Sequence, residues 1–265
     1  MSVDPAFAAP GRFHRGNLHT HSTRSDGARE PEAVCAFYRD AGYDFIALSD
    51  HFLHKYRFPV TDTRPMRGDG FTTLLAAEVH TTATALGEMW HLLAVGLPED
   101  FAPTVAGEHG PALAARARDA GAWVVLVHPG WYGLTAADAD TIPDAHAVEI
   151  YNHTSQVHTD RGDGSYLIDQ LLADGRRISV CATDDAHFHA DDALGGWVMV
   201  KAQDNDPGLL LDALKGGRFY SSQGPVIEHV AYHEDRIEVR CSPARSIVAL
   251  GRGSAASHRV GADLV

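Results

Sequence analysis

The chain has 265 residues, enough for one compact domain with a substantial core, and carries 22 Lys and Arg against 35 Asp and Glu for a formal net charge of −13. That balance disfavours a protein that grips long nucleic acid by phosphate neutralisation, which needs clustered cations. Three cysteines without a C-x-x-C spacing exclude a disulfide framework and a thiolate zinc site, and no apolar run reaches the roughly eighteen residues of a membrane-spanning helix.

The opening residues MSVDPAFAAPGRF lack a basic stretch followed by a long apolar run, so a cytoplasmic location is expected. RGNLHTH then reads as a strand. In EPEAVCAFYRDAG, Val34, Phe37, Tyr38 and Ala41 recur at helical spacing, with Pro31 near the start and Gly42 just past the end, which predicts an amphipathic helix. DFIALSDH is a short, nearly continuous apolar run, as expected of a strand buried on both faces. TLLAAEVH and WHLLAVGL read as strands, PALAARARDAG as a helix, WVVLVHPG as a buried strand, AADADTIPDA as a weaker helix and AVEIYN as a strand. SYLIDQLLADG is helical, ISVCATDDAH and WVMVKA are strands, and PGLLLDALKGG is a helix. Alternating strands and helices imply parallel β-α units, hence an α/β barrel or an open doubly wound sheet. No nucleotide-binding glycine fingerprint follows the first strand. From about Phe219 the texture becomes alternating and turn-rich, which predicts a small antiparallel β appendage beginning near Gly217.

The 17 histidines are the unusual count, and their placement matters more than their number. His19 and His21, Asp50 and His51, Glu78 and His80, His128, and Asp185 and His187 all fall at or just beyond the carboxyl end of a predicted strand. In an α/β barrel those ends converge on one face. Side chains two apart on a strand point the same way, so His19 with His21, and Asp185 with His187, can each serve one site from a rigid backbone. Imidazole and carboxylate without thiolate suit zinc, manganese or iron. Each piece alone has a plainer reading: H-x-H as a solvated strand face, Asp50 as a helix cap, H-P-G as a turn. Recurrence at successive strand ends is what those plainer readings leave unexplained.

In order, LHTH at 18–21, SDG at 25–27, FIALSDH at 45–51, the Glu78 strand, WHLLAVG at 90–96, VHP at 127–129 and DAH at 185–187 resemble the polymerase and histidinol phosphatase (PHP) superfamily of metal-dependent hydrolases, over roughly residues 14–217. The resemblance implies a distorted (β/α)7 TIM-like barrel holding two to three divalent ions, with a C-terminal β appendage at 218–265. Carried over by position, His19, His21, Glu78 and Asp185 would hold the first ion, Glu78, His91 and His128 the second, and Asp26, His51 and His187 the third. The family's D-x-H spacing assigns Asp185 rather than Asp184, leaving Asp184 to support the ligands. GRFYSSQGP at 217–225 resembles the carboxyl end of the branch that includes carbaryl-type carbamate hydrolases.

The implied activity is release of phosphate from a small phosphate ester or nucleotide by a metal-bridging hydroxide at a trinuclear site, with Glu78, Asp185 and His187 as catalytic residues. Its alternatives are hydrolysis of a carbamate or carbonyl ester by the same hydroxide, and 5'-to-3' exonuclease action on short oligonucleotides. A non-catalytic metal-binding module is disfavoured by the filled ligand set. Arg24, Arg161 in the RGDGS loop, His80, His153 and Trp131 are the candidate substrate contacts, Trp131 and Tyr132 either stacking on a substrate ring or covering the barrel mouth. His80, His153 and His158 are candidates for protonating the leaving group.

Overall fold

A computed structural model of the protein describes residues 2–68 and 70–265. Nine strands form one continuous sheet: β1 (Arg12–Asn17), β2 (Phe45–Leu48), β3 (Thr72–Thr81), β4 (Trp90–Val95), β5 (Trp123–Leu126), β6 (Ala147–Asn152), β7 (Ser179–Thr183), β8 (Trp197–Ala202) and β9 (Phe219–Ser222). Their spatial order is β9-β8-β1-β2-β3-β4-β5-β6-β7, and His51–Phe52 adds a short rung on β3. Four longer helices flank the sheet: α1 (Pro31–Asp40), α2 (Gly110–Asp119), α3 (Ser165–Ala173) and α4 (Pro207–Lys215). As its spacing predicts, α1 starts on Pro31 and buries Val34, Cys35 and Tyr38, which pack with Ile46 and Leu48 of β2. Gly42, at φ 80, takes the left-handed turn that ends it.

Seven strands run in one direction, but β4 and β8 run against their neighbours, which corrects the expectation of an all-parallel sheet. For β4 the reason is length. The link from Thr81 to Trp90 is shorter than the crossover of about a dozen residues that parallel neighbours need, so β3 and β4 form a hairpin.

The sheet closes in two ways. At the amino-terminal end β8 and β9 wedge between β1 and β7: β8 pairs with Arg12 to Gly16, while the Ser221 hydroxyl of β9 accepts from Ala182 N (3.0 Å) and donates to the Val180 carbonyl (2.9 Å). At the carboxyl end β1 and β7 run on past the wedge and meet directly. Thr20 bridges Ala186, Asp185 N donates to His19 O (2.8 Å) and His21 N to Ala186 O (2.9 Å). The result is a distorted TIM-like barrel, seven strands around at the top and spread by two more at the base. α4 lies across the base against β3, β5 and β8, and Leu210, Ala213 and Leu214 join Val198, Val200, Trp123 and Phe219 in the apolar interior.

The sequence places the appendage from residue 218, yet Phe219–Ser222 is a barrel strand, so the main sheet continues to Ser222. Beyond it, β10 (Ile227–Tyr232) and β11 (Ile237–Cys241) form a small sheet completed by Ser2–Val3, and β12 (Ala244–Leu250) with β13 (Ala256–Leu264) forms a separate ribbon. Among the described residues no helix is long and apolar enough to cross a membrane.

Candidate metal centre

The direct meeting of β1 and β7 brings His19 and His21 against Asp185. Asp185 Oδ1 lies 2.9 Å from His21 Nε2 and 3.1 Å from His19 Nε2, and Glu78 Oε2, from β3, lies 3.7 Å from both nitrogens. The other Glu78 oxygen faces β4 and the end of β5: Oε1 is 2.7 Å from His91 Nδ1 and 3.1 Å from His128 Nε2. A third set surrounds Asp26, whose Oδ1 is 3.4 Å from His51 Nε2 and 3.5 Å from His187 Nε2; the His21 ring lies between His51 and His187, with centroids 4.3 and 4.2 Å away. Among the described residues, four sets of donors stand close enough to share an ion, His21 with Asp26, His51 and His187; His19 with His21 and Asp185; His19 with Glu78 and His128; and His51 with Glu78 and His80, so the nine positions expected to bind metal lie close together in partly different groupings. Seven of them, all but the buried His19 and His21, line one cavity of about 410 Å³.

Some of these atoms pair with one another, His21 with Asp185, and His91 and His128 with Glu78 Oε1, and others are left over. His19 Nε2, Glu78 Oε2 and Asp26 Oδ1 are buried without a hydrogen-bond partner although opposite charges stand close by. Among the described residues no Lys or Arg pairs with Glu78, Asp185 or Glu149; their charged neighbours are imidazoles. Buried carboxylates with that surrounding are costly unless cations compensate them. The donor set, oxygen and imidazole nitrogen with no sulfur, fits a borderline or hard divalent ion.

The buried carboxylates and imidazoles shift one another strongly. Burial favours neutral Glu78, but His51, His80 and His91 outweigh it and hold the carboxyl well below its ordinary range. Asp185 is likewise held low against burial by His19 and His21. Burial alone would lower His19 and His51, yet Asp185 with Glu149 holds His19 well above the usual imidazole value, and Glu78 with Asp26 raises His51 to about 10. For His21, burial and then His187 and His51 push the pKa well below the ordinary value, and burial lowers His91, leaving both neutral as lone-pair donors.

The supporting layer contains residues that the sequence reading missed. Glu149, fully buried in β6, accepts from His19 Nδ1 (2.8 Å), the Thr183 hydroxyl (2.6 Å), His128 N (2.6 Å) and Asn152 Nδ2 (2.9 Å). It thereby fixes His19 with Nε2 turned to the cluster. It also anchors His128, which sits at φ 29 just before Pro129, where extended backbone is preferred; such strain costs about 1–3 kcal/mol and persists only where the surroundings impose it. Asn152 Nδ2 donates further to Asp185 Oδ2 (3.1 Å), and Asn17 Nδ2 holds the His19 carbonyl (2.9 Å). The signal was a carboxylate and an amide, Glu149 and Asn152, in the largely apolar AVEIYN; Asn17, in the polar RFHRGN, carried none.

Several candidates lie elsewhere. Arg24 is exposed and off the cavity wall, and Arg161 donates to the Trp131 carbonyl (3.3 Å). His153 bonds the Tyr151 hydroxyl (2.9 Å), away from the cavity, because its position opens a helix that turns the ring back toward β6. His80 is off the cavity wall but within the donor cluster, its Nε2 2.9 Å from His51 Nδ1 and 3.5 Å from Glu78 Oε2, and burial lowers it to about 4. Trp131 does line the cavity, edge-on to His128 and His91 and 40% exposed. Asp50 gathers Ser22, Ser25 and Thr61 and so shapes the turn that carries Asp26. Asp184 accepts from Tyr38 and from the amides of Leu194, Gly195 and Gly196, supporting that loop rather than the donor atoms. GRFYSSQGP serves the barrel seam and the turn after it, where Gly224 N donates to Ser222 Oγ (3.0 Å).

Comparison of the sequence with protein-family models and with curated proteins finds no match. Among solved structures, the chain is similar over 99% of its length, and 87% of the other chain, to a two-domain protein from Bacteroides vulgatus containing a predicted PHP-like metal-dependent phosphoesterase, at 18% identity and a TM-score of 0.55. The chain has a PHP-like fold. The same PHP-like architecture is similar to an amidohydrolase from Chromobacterium violaceum with bound sulfate and no metal (12% identity, 67% of this chain and 89% of that one, TM-score 0.51). It is also similar to PsfC from Pseudomonas syringae (15% identity, 80% and 92%, TM-score 0.51).

Proposed function

We propose that the protein is a metal-dependent hydrolase that releases phosphate from a small phosphate ester or nucleotide. The observation that carries this reading is Glu78, buried at the centre of the cluster with one oxygen toward His91 and His128 and the other toward His19, His21 and His51. His19, His21, Glu78 and Asp185 would hold one ion, Glu78, His91 and His128 a second, and Asp26, His51 and His187 a third. Divalent ions in these places acidify water and neutralise the oxygens of a phosphoryl group. The chain's own residues supply order: Glu149 and Asn152 hold His19 and Asp185 in register, and His80 holds the ring of His51. Glu78, Asp185 and His187, which face the cavity, would be the catalytic residues, and Trp131, on the same wall, a substrate contact. The name of the Bacteroides vulgatus structure supports the same class of reaction.

A second reading draws on one specific observation. Among the described residues the cavity wall carries no Lys or Arg, so a neutral carbamate or carboxylic ester meets no missing cation there. The test of both is one panel: protein loaded in turn with zinc, manganese or iron, assayed on phosphomonoesters, nucleotides and aryl carbamates. Phosphate release is expected; carbamate cleavage with no phosphate release from any phosphoester would replace the first reading by the second.

A further inference from the structure

Cleavage of an ester of a poorly acidic alcohol leaves an oxygen that must gain a proton as its bond to phosphorus breaks. His153 faces Tyr151 and His80 is buried behind His51, so neither reaches that oxygen. His189 lines the cavity, but its Nε2 donates to the Asp26 carbonyl (2.7 Å) and so is committed to holding that loop. His158 also lines the cavity, and its ring makes no hydrogen bond to any described residue; the facing group is the buried Asp192 carboxylate, 4.0 Å from Nε2. Its side chain is 44% exposed, open to proton exchange with solvent.

The backbone under His158 is tied to the cluster. It rides on the helix His153–Thr159, whose first turn is capped by Asn152 Oδ1 accepting from Ser155 N (2.8 Å), while Asn152 Nδ2 holds Asp185. Thr154 of the same helix donates to the Asp185 carbonyl (2.8 Å). Asp192, opposite the ring, accepts from the amides of His187 and Phe188 (both 3.0 Å). His158 is therefore positioned relative to both Asp185 and His187 without being part of the donor set.

Resting on the phosphoesterase reading, we propose that His158 is the proton donor to the leaving group. A water oxygen bonds to phosphorus, and the phosphorus–oxygen bond to the leaving group breaks with its electron pair staying on the ester oxygen. That oxygen takes the proton of the His158 imidazolium. The alcohol departs, the water keeps one proton on the phosphate, and its other proton passes to solvent, which reprotonates His158.

The test uses full-length, metal-loaded protein and two phosphomonoesters of similar shape. 4-Nitrophenyl phosphate releases a phenolate that needs little protonation, whereas benzyl phosphate releases an alkoxide that does. The variant His158→Gln is expected to lose about 10²- to 10⁴-fold in kcat on benzyl phosphate. On 4-nitrophenyl phosphate it should lose less than about tenfold, the expected signature of a lost general acid. Its metal content by elemental analysis and its Tm should equal those of the wild type. Equal losses on both substrates, no loss on benzyl phosphate, or reduced metal content each overturn the proposal. Wild-type protein that hydrolyses neither ester overturns the underlying phosphoesterase reading, a result visible before any variant is made.

Discussion

At the base of the barrel, β8, β9 and α4 fill the space between β1 and β7 with Val198, Val200, Leu210, Leu214 and Phe219; at the mouth the same two strands meet directly and bury imidazole and carboxylate instead. Inside the barrel, it is the base that gains from removing apolar surface from water. At the mouth, desolvated carboxylates face imidazoles, and residues such as His128 and Asp185, at φ 29 and 57, hold backbone that an unconstrained chain avoids. The apolar interior thus lies at the base and the candidate metal centre at the mouth. A substitution should therefore register in melting or in turnover according to the end it touches.

The sharpest test of that division is His19→Ala with His21→Ala. Turnover should fall to background and metal content should drop in elemental analysis, while far-UV circular dichroism stays that of the folded barrel; normal turnover would break the assignment. Next in size, Phe219→Ala at the base should lower stability by about 3–5 kcal/mol, read by calorimetry, with kcat of the remaining folded protein unchanged. A parallel loss of metal affinity below the melting range would show that the two ends are not separable. Glu149→Gln should weaken metal binding about 10- to 100-fold in competition with a chelator, while leaving the apolar base intact. Smallest, Ser221→Ala removes the hydroxyl that stitches β9 to β7 and should lower Tm by an amount corresponding to about 1 kcal/mol, with turnover unaltered.

How much of this was legible in the sequence differs in the same way between the two ends. H-x-H and D-x-H just past strand ends are visible as a pattern, and His19, His21, Asp185 and His187 do meet, although the strands end at Asn17 and Thr183 and Asp185, at φ 57, is not extended. Helix α1 was legible from Pro31, Gly42 and its apolar spacing. The direction of β4 was not, because an apolar run reads the same in either sense; only the short stretch from Thr82 to Met89 signals a hairpin. FYSS reads as an antiparallel strand and is one, but nothing local says that its partner is β8 rather than the appendage. Glu149 and Asn152 were hidden because burial of a polar side chain is a property of the closed barrel. Arg24 and Arg161 misled for the converse reason: position near a strand end does not fix where a long loop side chain points.

The closure of β1 on β7 also sets when the site can exist. Thr20 and Ala186 are 166 positions apart, and His21 and Asp185 are 164 apart. During synthesis the first donors emerge long before their partners, and no partial barrel lacking β7 contains the complete set. The entropy of joining such distant segments grows only slowly with separation, but non-local pairings of this kind slow folding. The full donor set is thus assembled only once β7 has joined the barrel, after a stretch of the chain's life in which His19 and His21 stand beside each other without Asp185.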